Sequence, residues 1–482
     1  MTLVAETGVR PDQDKDALFA RLSARFGGRF SRSEALREQH ANTLTWLRVQ
    51  PPDAVLFAET TEEVAETLSA CAAARVPVIP FGAGSSLEGH LNAPYGGLSL
   101  DLSRMNAVLA VRENDLDCAV QTGVTRKQLN AYLRDKGLFF PVDPGADASL
   151  GGMAATRASG TNAVRYGTMR DAVLGLTAVL ADGRIITTGG RARKSSAGYD
   201  LTRLLVGSEG TLGVITELTL KLYGIPETIL AGVCPFETLD GACNATIAAL
   251  QMGLPLARIE LLDEVQVRGC NAYSHLTLPE TPTLFVEFHG SEASATEQVE
   301  TFAAIAGVEG GGALDWATGQ EDRNRLWQAR HDAYWAARGL RPGADLIATD
   351  VCVPISALAS CVAETKKDIE RLGLLAPIVG HVGDGNFHVM PLIDTSCGDE
   401  QAKIREFLDC LVERALRLEG TCTGEHGVGQ GKIGYLREEH GEGVEVMIAI
   451  KKALDPLNIL NPGKIFAADI SSVCGHTASE LR

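Results

Sequence analysis

The sequence predicts an α+β fold in two parts, and three observations support this prediction. Before Pro226, three glycine-rich loops interrupt a series of short strands and helices. Beyond Pro226, strands and helices alternate in two halves, a pattern typical of a helix-backed antiparallel sheet with ferredoxin-like halves. Within the second half, two apolar, β-prone runs flank Asp384-Gly385, the dipeptide that most favours a tight hairpin turn.

Length and composition are those of an ordinary globular chain. Its 482 residues are enough for two or three domains, and its net charge of -17 argues against a nucleic-acid-binding function. The eleven cysteines include no Cys-x-x-Cys pair, so we expect buried thiols in a reducing compartment. No run of 18 apolar residues is present, so we predict no membrane span. Met1–Asp16 lacks a signal or transit pattern, which favours a cytoplasmic protein and leaves peripheral contact with the inner membrane open.

The first part begins with a helical segment and then changes to strands. Residues 12–50 are predicted to be helical, because apolar residues recur at helical spacing over Leu18–Phe26. A strand at Val55–Ala58 and a helix over 61–74 precede Val76–Gly89, a strand that runs into a glycine-rich turn. The N–H groups of such a turn can bind an anion, although a tight structural turn explains the glycines equally well. The spacing is not Gly-x-Gly-x-x-Gly, which argues against a nicotinamide-binding Rossmann site.

Two further loops are similarly poor in bulky side chains. Phe140–Met153 is rich in glycine, proline and alanine, and Leu204–Ile215 is dense in glycine. Strands are predicted between these loops at Leu174–Leu180 and Arg184–Thr188. Loops of this composition let the backbone approach a flat or charged group closely. Three such loops on one α+β unit therefore predict a long ligand that lies across it.

The second part is predicted to consist of repeated strand and helix units. Besides the hairpin, the predicted elements are strands at Ile229–Cys234, Phe285–Phe288 and Leu346–Val353, and helices over 238–252, 323–331, 356–372 and 400–418. The glycine-rich stretch Gly420–Gly431 follows the last of these helices. We expect the polar tail from Ala467 to be frayed.

The predicted hairpin brings two histidines together. With a two-residue turn at its centre, or with a four-residue loop over 383–386, His381 faces His388, and their Cβ atoms lie about 5 Å apart on one face of the sheet. This arrangement suits two imidazoles that share one divalent ion. In the glycine-rich stretch that follows, Glu425 precedes His426, so one can bind the metal while the other faces a substrate. The alternative interpretation is that the two histidines on the hairpin only make hydrogen bonds within the protein and that the glycine-rich stretch is a flexible loop.

These stretches resemble a known family of flavoproteins. Pro80–Gly89, Asp143–Met153 and Gly207–Gly213 are similar to the PCMH-type FAD-binding domain of the vanillyl-alcohol oxidase/p-cresol methylhydroxylase superfamily. Gly380–His388 and Gly424–Gly429 are similar to the C-terminal FAD-linked oxidase domain of D-2-hydroxyacid dehydrogenases. Within that family the chain resembles the cytochrome-type D-lactate dehydrogenases most, with the glycolate oxidase flavin subunit and D-2-hydroxyglutarate dehydrogenase as near relatives. The resemblance implies oxidation of a small D-2-hydroxy acid, with hydride transfer to FAD.

The resemblance also implies roles for individual residues. His426 is implied to be the base, and Arg330 is implied to pair with the substrate carboxylate. His381, His388 and Glu425 are implied to bind a divalent metal, and this ligand set suits zinc, manganese or iron alike. The residues implied to hold FAD belong to the glycine-rich loops or follow the second one: Pro80, Gly82, Ala83, Gly84, Ser85, Ser86, Gly89, Pro144, Gly145, Gly151, Gly152, Met153, Asn162, Gly210, Gly213 and Ile215.

Two positions depart from patterns in the family. Members that bind FAD covalently carry a histidine in the first loop, where this chain has Ser85, so we expect non-covalent FAD. Hydroxyglutarate enzymes carry an asparagine two residues beyond the second hairpin histidine, where this chain has Met390 on the same face as His388. A thioether neither ligates a hard ion nor bonds a second carboxylate well, so a small monocarboxylate such as D-lactate is favoured.

Other functions stay open at this point. The near alternatives are a glycolate oxidase flavin subunit and a D-2-hydroxyglutarate dehydrogenase, and a more distant one is a non-redox transferase similar to alkyl-glycerone-phosphate synthase. The chain has no Cys-x-x-Cys-His haem motif, so we expect a separate electron acceptor: a cytochrome, a quinone or an electron-transfer flavoprotein. A homodimer is also open. The predicted segments are an N-terminal helical segment over 1–50, the FAD-binding domain over 51–226, the substrate and metal domain over 227–424, a C-terminal segment over 425–466 that returns to the FAD domain, and a tail over 467–482.

Overall fold

The structure is a computed structural model that describes residues 11–41, 44–192, 194–317 and 319–467. The predictions for the N-terminal signal region and for the tail therefore lie largely outside the described residues. Among the helices of the described residues, none combines the length and the apolar character that crossing a bilayer requires.

The first unit contains a four-stranded and a five-stranded sheet. Its elements are α1 (Pro11–Phe26), β1 (Phe30–Ser31), α2 (Glu34–Gln39), β2 (Ala54–Phe57), α3 (Thr61–Ala74), β3 (Val78–Phe81), β4 (Leu98–Asp101), β5 (Val108–Arg112), β6 (Asp117–Gln121), α4 (Arg126–Leu133), β7 (Leu138–Phe139), α5 (Leu150–Thr156), α6 (Ala163–Tyr166), α7 (Met169–Ala172), β8 (Val173–Val179), β9 (Ile185–Gly189), α8 (Leu201–Leu205), β10 (Val214–Lys221) and β11 (Tyr223–Gly224). The smaller sheet has the order β1-β2-β4-β3, with β2, β4 and β3 parallel. The larger sheet is antiparallel in the order β5-β6-β10-β8-β9.

Helices cover these sheets through apolar faces that the sequence pattern predicts. Leu18, Phe19 and Leu22 of α1 are buried against the four-stranded sheet, together with Leu68 of α3. The predicted helical segment over 12–50 is in fact interrupted, because α1 ends at Phe26 and a second short helix, α2, follows strand β1. The predicted loop up to Met153 is shorter than expected. Its last residues form the first turn of α5, whose N-cap Ser149 accepts a hydrogen bond from the N–H of Gly152.

The second unit is built around one seven-stranded antiparallel sheet. Its elements are β12 (Thr228–Pro235), α9 (Leu239–Gln251), β13 (Leu256–Leu262), α10 (Glu264–Ser274), β14 (Thr283–Gly290), α11 (Glu292–Val308), β15 (Asp315–Trp316), α12 (Gln320–His331), α13 (Ala333–Gly339), β16 (Asp345–Leu346), β17 (Val351–Cys352), α14 (Leu358–Leu372), β18 (Ile378–Gly380), β19 (Asn386–Val389), β20 (Leu392–Ile393), α15 (Gly398–Arg417), α16 (Ile433–His440) and α17 (Gly443–Leu454). The strand order is β15-β12-β14-β13-β18-β19-β17. Helices α9, α11, α14 and α15 share one apolar core with this sheet, and α10, α12 and α13 share another. The predicted helix-backed antiparallel sheet is confirmed.

The end of the chain packs against the first unit. Leu460 pairs with Val78 of β3, and the N–H of Asn461 donates to the carbonyl oxygen of Val78 at 2.9 Å. The buried ammonium group of Lys464 donates to the carbonyl oxygen of Asn92 at 2.6 Å. These bonds hold the last described residues beside the strand that leads into the first glycine-rich loop.

Candidate active site and cofactor cavity

A cavity of about 370 Å³ lies where the two units meet. The first unit contributes the three glycine-rich loops, and the second contributes α12, α13, the β18–β19 hairpin and the loop that holds Glu425. The predicted site residues that line it are Pro80, Gly82, Ala83, Gly84, Ser85, Ser86, Pro144, Gly145, Gly151, Gly152, Met153, Gly210, Gly213, Ile215, Arg330, His381, His388, Glu425 and His426. The three loops therefore line one cavity together with the histidine cluster.

Gly89 and Asn162 do not line this cavity. Asn162 is buried, and both its side-chain nitrogen and its side-chain oxygen make hydrogen bonds within the protein. Its amide group donates to the carbonyl oxygen of Pro141 at 2.9 Å, and its oxygen accepts from Nε of Arg258 at 2.9 Å. Gly89 instead packs beside Gln430, which a Cβ atom at this position would contact at 2.9 Å. Asn162 thus joins the two units rather than facing the cavity.

The first glycine-rich loop has the features of an anion-binding turn. The backbone N–H groups of Gly82, Ala83, Gly84 and Ser85 have no acceptor among the described protein atoms. A Cβ atom at Gly82 would lie 2.3 Å from Oγ of Ser149, so only glycine lets this loop and the start of α5 approach so closely. Unpaired N–H groups on a cavity wall suit the pyrophosphate of a dinucleotide. The residues that line this part of the cavity therefore fit the chemistry of FAD.

His381, His388 and Glu425 converge at one end of the cavity. The Nε2 atoms of both histidines lie 3.2 Å from the same oxygen, Oε1 of Glu425. Nδ1 of His381 bonds Oε1 of Glu260 at 2.8 Å, and Nδ1 of His388 bonds the carbonyl oxygen of Thr349 at 2.9 Å. Because each Nδ1–H is donated to the protein, each Nε2 is the ring nitrogen that faces Glu425 and is left for a proton or a metal ion. Two imidazole nitrogens and one carboxylate oxygen, with room on the cavity side, form a donor set that fits a divalent ion.

The electrostatics of this cluster favour a cation at its centre. Burial opposes the charged form of His381, but the carboxylates of Glu260 and Glu425 outweigh it and raise the pKa of His381 well above its ordinary value. Burial likewise opposes the charge of Glu425, but His381 and His388 hold the pKa of that carboxyl well below its usual range. A carboxylate that stays ionised when buried needs a positive partner, which a proton on histidine or a metal ion supplies.

The hairpin differs from the predicted register. Val379, not His381, pairs with His388, because the turn is a four-residue loop over 382–385 that contains a 3-10 turn. Gly385 closes it with φ 76°, and a Cβ atom there would lie 2.0 Å from the carbonyl oxygen of Val353. The predicted register is thus wrong by two residues. An even shift keeps the same face, so the rings of the two histidines still lie 5.5 Å apart.

His426 lies beside the cluster and stacks on His388. The ring centroids are 5.0 Å apart and the planes differ by 8°. Burial, opposed by the charge of Asp350, lowers the pKa of His426 to about 4. Its buried Nδ1 has no hydrogen-bond partner among the described atoms. His426 is therefore a neutral imidazole that can accept a proton at the cavity wall.

Asp350 and Glu209 hold the loop that carries Glu425 and His426. One oxygen of Asp350, Oδ2, accepts hydrogen bonds from the backbone N–H groups of Glu425 and His426, each at 2.8 Å. Glu209 accepts from the N–H groups of Val428 and Gly429 at 2.7 and 2.8 Å. Neither acid is among the residues predicted from the sequence, and the only local signal for each is a carboxylate within an otherwise apolar or glycine-rich run.

Arg330 is placed at the cavity but is not a free cation. Its Nε donates to Oε2 of Glu260 at 2.8 Å, and its Nη2 lies 2.6 Å from the same oxygen. Its neighbour on α12, His331, also lines the cavity, and burial lowers the pKa of His331 to about 4. Glu260 therefore links Arg330 to His381, a connection the sequence analysis did not predict.

Comparison with known sequences identifies the class of protein that this fold and site define. Residues 225–465 match the family described as FAD linked oxidases, C-terminal domain, and residues 52–189 match the FAD binding domain family. The chain belongs to the FAD-linked oxidases and is an FAD-binding oxidoreductase.

Within this family, several similar relatives carry one enzyme name. A protein of Danio rerio named "Probable D-lactate dehydrogenase, mitochondrial" is 52% identical over 89% of this chain and 88% of its own length. The mitochondrial D-lactate dehydrogenase [cytochrome] of Arabidopsis thaliana is 46% identical over 86% of this chain and 74% of its own. The mitochondrial D-lactate dehydrogenase [cytochrome] 1 of Saccharomyces cerevisiae is 42% identical over 87% of this chain and 73% of its own length. The predicted resemblance to FAD-linked D-2-hydroxyacid dehydrogenases is confirmed.

Solved structures share the fold at low sequence identity. p-Cresol methylhydroxylase with substrate bound superposes with a TM-score of 0.79 at 18% identity, covering 95% of this chain and 98% of that one. An alkyldihydroxyacetonephosphate synthase superposes with a TM-score of 0.72 at 20% identity, covering 95% and 87%. The chain therefore has the same fold as these two proteins.

Proposed function

We propose that this protein oxidises a small D-2-hydroxy acid, D-lactate first, to the 2-oxo acid, with non-covalent FAD and a divalent metal. The observation that carries the proposal is the convergence of His381, His388 and Glu425, with His426 stacked beside them, on the cavity that the FAD loops line. The names of the relatives, D-lactate dehydrogenases at 42–52% identity, support the choice of substrate.

Each residue of the site has a distinct task in this proposal. The guanidinium of Arg330 pairs with the substrate carboxylate and fixes the orientation of C2. A bound zinc, manganese or iron ion would hold the substrate hydroxyl and lower its pKa. His426, neutral near pH 7, takes the hydroxyl proton as C2 loses hydride. Bound FAD supplies the hydride acceptor. Ser85 on the cavity wall offers no imidazole for a covalent bond to the flavin, which supports non-covalent binding.

Met390 is proposed to restrict the substrate to a monocarboxylate. It is buried, lines the cavity and packs with Val379 in the same apolar cluster. Ala348 extends this apolar wall beside the histidine cluster. A second carboxylate placed against these side chains would lose its hydration without gaining a hydrogen bond. D-lactate, whose C3 is a methyl group, is compatible with such a wall.

The electrons are proposed to leave to a separate carrier. The names of two relatives above include the word cytochrome, so we place a cytochrome first among the acceptors, ahead of a quinone or an electron-transfer flavoprotein. The relatives are named as mitochondrial proteins, and the cytoplasmic location inferred from the sequence stays a prediction.

Anaerobic flavin reduction tests the proposed function directly. Purified protein is mixed separately with D-lactate, L-lactate, glycolate and D-2-hydroxyglutarate, with and without a chelator, and the oxidised-flavin absorbance is followed. We expect bleaching by D-lactate that the chelator abolishes. Bleaching mainly by hydroxyglutarate would contradict the role of Met390, and bleaching mainly by glycolate would favour a glycolate oxidase subunit. A yellow protein that no hydroxy acid bleaches would favour a transferase instead.

A further inference from the structure

Glu260 is a buried carboxylate that touches both halves of the proposed site. It lies on β13 and is 1% exposed. Oε1 accepts from Nδ1 of His381 at 2.8 Å, while Oε2 accepts from Nε of Arg330 at 2.8 Å. One side chain thus joins a proposed metal ligand to the proposed carboxylate-binding residue.

The strand register fixes this contact. β13 pairs with β18 so that Leu261 faces Gly380, and continuing the register places Glu260 opposite His381. Ile259 and Leu261 point into the apolar core on the other face of the sheet. By strand alternation, Glu260 then points to the face that carries the cavity. The carboxylate is held by a rigid central strand, which is a precise support for a ligand histidine.

The bond to His381 sets the tautomer of its ring. A carboxylate oxygen can only accept, so Nδ1 must carry a proton, and Nε2 is the nitrogen whose lone pair a metal ion would take in place of a proton. That lone pair faces Glu425, where a metal would bind. Without the acceptor at Glu260, the ring is free to place its proton on Nε2, and this tautomer cannot ligate through the nitrogen that faces Glu425.

The bond to Arg330 sets the position of its guanidinium. Arg330 comes from the last turn of α12, and no other ion pair holds its side chain among the described residues. Nε and Nη2 both lie against Oε2 of Glu260. The edge of the guanidinium that faces Glu260 is thereby occupied, and a substrate carboxylate must approach from the cavity side.

We propose that Glu260 is a positioning residue that couples the metal centre to the carboxylate-binding arginine. Its two oxygens fix His381 for metal binding and Arg330 for substrate binding at the same time. This inference rests on the proposed function, because it assigns a task to a neighbour of the proposed ligands. Loss of this carboxylate should weaken metal and substrate binding together.

The test compares Mn²⁺ binding and D-lactate kinetics in the FAD-loaded protein and in E260Q. Glutamine keeps the shape of the side chain, but its oxygen can accept from only one of the two donors. We expect the dissociation constant of Mn²⁺, measured by EPR of the free ion, to rise about 10–100-fold. The KM for D-lactate should rise by a similar factor, while FAD content stays close to that of the parent.

E287Q is the matched control. Glu287 is also a buried carboxylate, on the adjacent strand β14, but its partners are His289 and Arg258 rather than the proposed ligands. We expect E287Q to keep the Mn²⁺ affinity and the KM of the parent. If E260Q does not fold, E260D serves instead, because its shorter side chain keeps the charge but reaches only one partner.

The outcomes separate this inference from the proposed function. A parent that D-lactate reduces and that binds Mn²⁺, beside an E260Q protein with unchanged Mn²⁺ affinity and KM, overturns the role of Glu260 alone. Equal losses in E260Q and E287Q would also overturn it, since they would show a general effect of removing a buried charge. A parent that binds no divalent ion contradicts the proposed metal centre and this inference with it.

Discussion

At the scale of single residues, the proposed chemistry depends on where buried protons are held. Both hairpin histidines donate Nδ1–H to fixed acceptors, Glu260 and Thr349, whereas Nδ1 of His426 has no partner among the described atoms. In two of the three imidazoles, Nδ1 is therefore bonded and Nε2 faces the proposed metal position. The third imidazole keeps a nitrogen without a partner among the described atoms. This division of roles is the physical basis for assigning His426, rather than His388, as the base.

Substitution of His426 by alanine should remove turnover and little else. General bases contribute about 100–10,000-fold to rate, so we expect kcat of H426A with D-lactate to fall within that range. FAD content and Mn²⁺ content should stay at the parent level, because the other cavity residues are unchanged. The matched control is H440A, since His440 is exposed on α16. Loss of flavin from H426A would show that this residue supports the cofactor instead.

Replacement of Asp350 by asparagine should disorder the loop that carries the base. The buried carboxylate accepts from the N–H groups of Glu425 and His426, and its Oδ1 accepts from the side-chain amide of Asn386. An amide group cannot accept on both sides, and each buried donor left unpaired costs roughly 1–3 kcal/mol. Misplacement of the base by about 1 Å costs about 100-fold in rate.

Urea unfolding and turnover of D350N measure these two effects. We expect a lower free energy of unfolding together with a lower kcat, with FAD retained. D409N is the control, because Asp409 is exposed and bonds the hydroxyl of Tyr435 away from the cavity. Parent-like turnover in D350N would show that the loop is held without Asp350.

At the scale of elements, the sequence predicts which strands and loops lie together, but it does not predict the geometry of the loops that connect the strands. The Asp384-Gly385 pair correctly predicts a hairpin and the face its histidines share. It does not predict that the loop spans 382–385, because this position depends on the close approach of Gly385 to Val353, 32 residues away in the chain. Local turn preferences cannot report a contact of that kind.

The strand β13 shows a second limit of sequence reasoning. The run from Leu256 to Leu262 is short and mostly apolar, so its period does not separate a strand from a buried helix. Its two charged residues, Arg258 and Glu260, alternate with apolar ones, and the structure shows that both lie on the face towards the cavity. The sequence therefore does not predict which polar side chains support the site, because the hydrogen-bond partners of these side chains are distant in the chain.

The N-terminus of α10 should give the protein a measurable pH dependence of stability. Its N-cap, Asp263, is fully buried, and burial, partly offset by Lys366, raises its pKa from 3.8 to about 6. Between these values the folded state binds a proton that the unfolded state has lost. The free energy of unfolding should therefore fall by about 3 kcal/mol as the pH rises from about 4 to above 6.

The variant D263N tests this dependence. Asparagine is a good N-cap and does not ionise, so the stability of D263N relative to the parent should rise by the same amount over that pH range. Urea unfolding at several pH values measures it. D200N is the control, because Asp200 caps α8 in the same way but is exposed. Parallel pH curves for D263N and the parent would contradict the burial argument.

At the scale of the whole molecule, the cavity exists only while the two units stay docked. Arg258 from the second unit bonds Asn162 and lies 3.4 Å from Asp143 in the first, and its guanidinium stacks over Trp327 at 4.5 Å. Arg165 of the first unit donates to the carbonyl oxygens of Pro255 and His289 in the second. Polar contacts of this kind fix the orientation of the units and so the distance between the FAD loops and the histidine cluster.

Substitution of Arg258 by methionine should uncouple the two units. Methionine keeps much of the apolar stem, but it leaves Asp143 and Glu287 without their shared cation. Breaking a buried ion pair in this way costs about 3–5 kcal/mol. Because the lost bonds join the units, we expect calorimetry of R258M to show two separated unfolding transitions in place of one, and a weaker affinity for FAD.

R268M is the control, since Arg268 is exposed on α10. A single transition at the parent temperature would mean that the apolar contacts between the units are enough to keep them docked. The bond to Arg258 would then not explain why the amide group of Asn162 is buried.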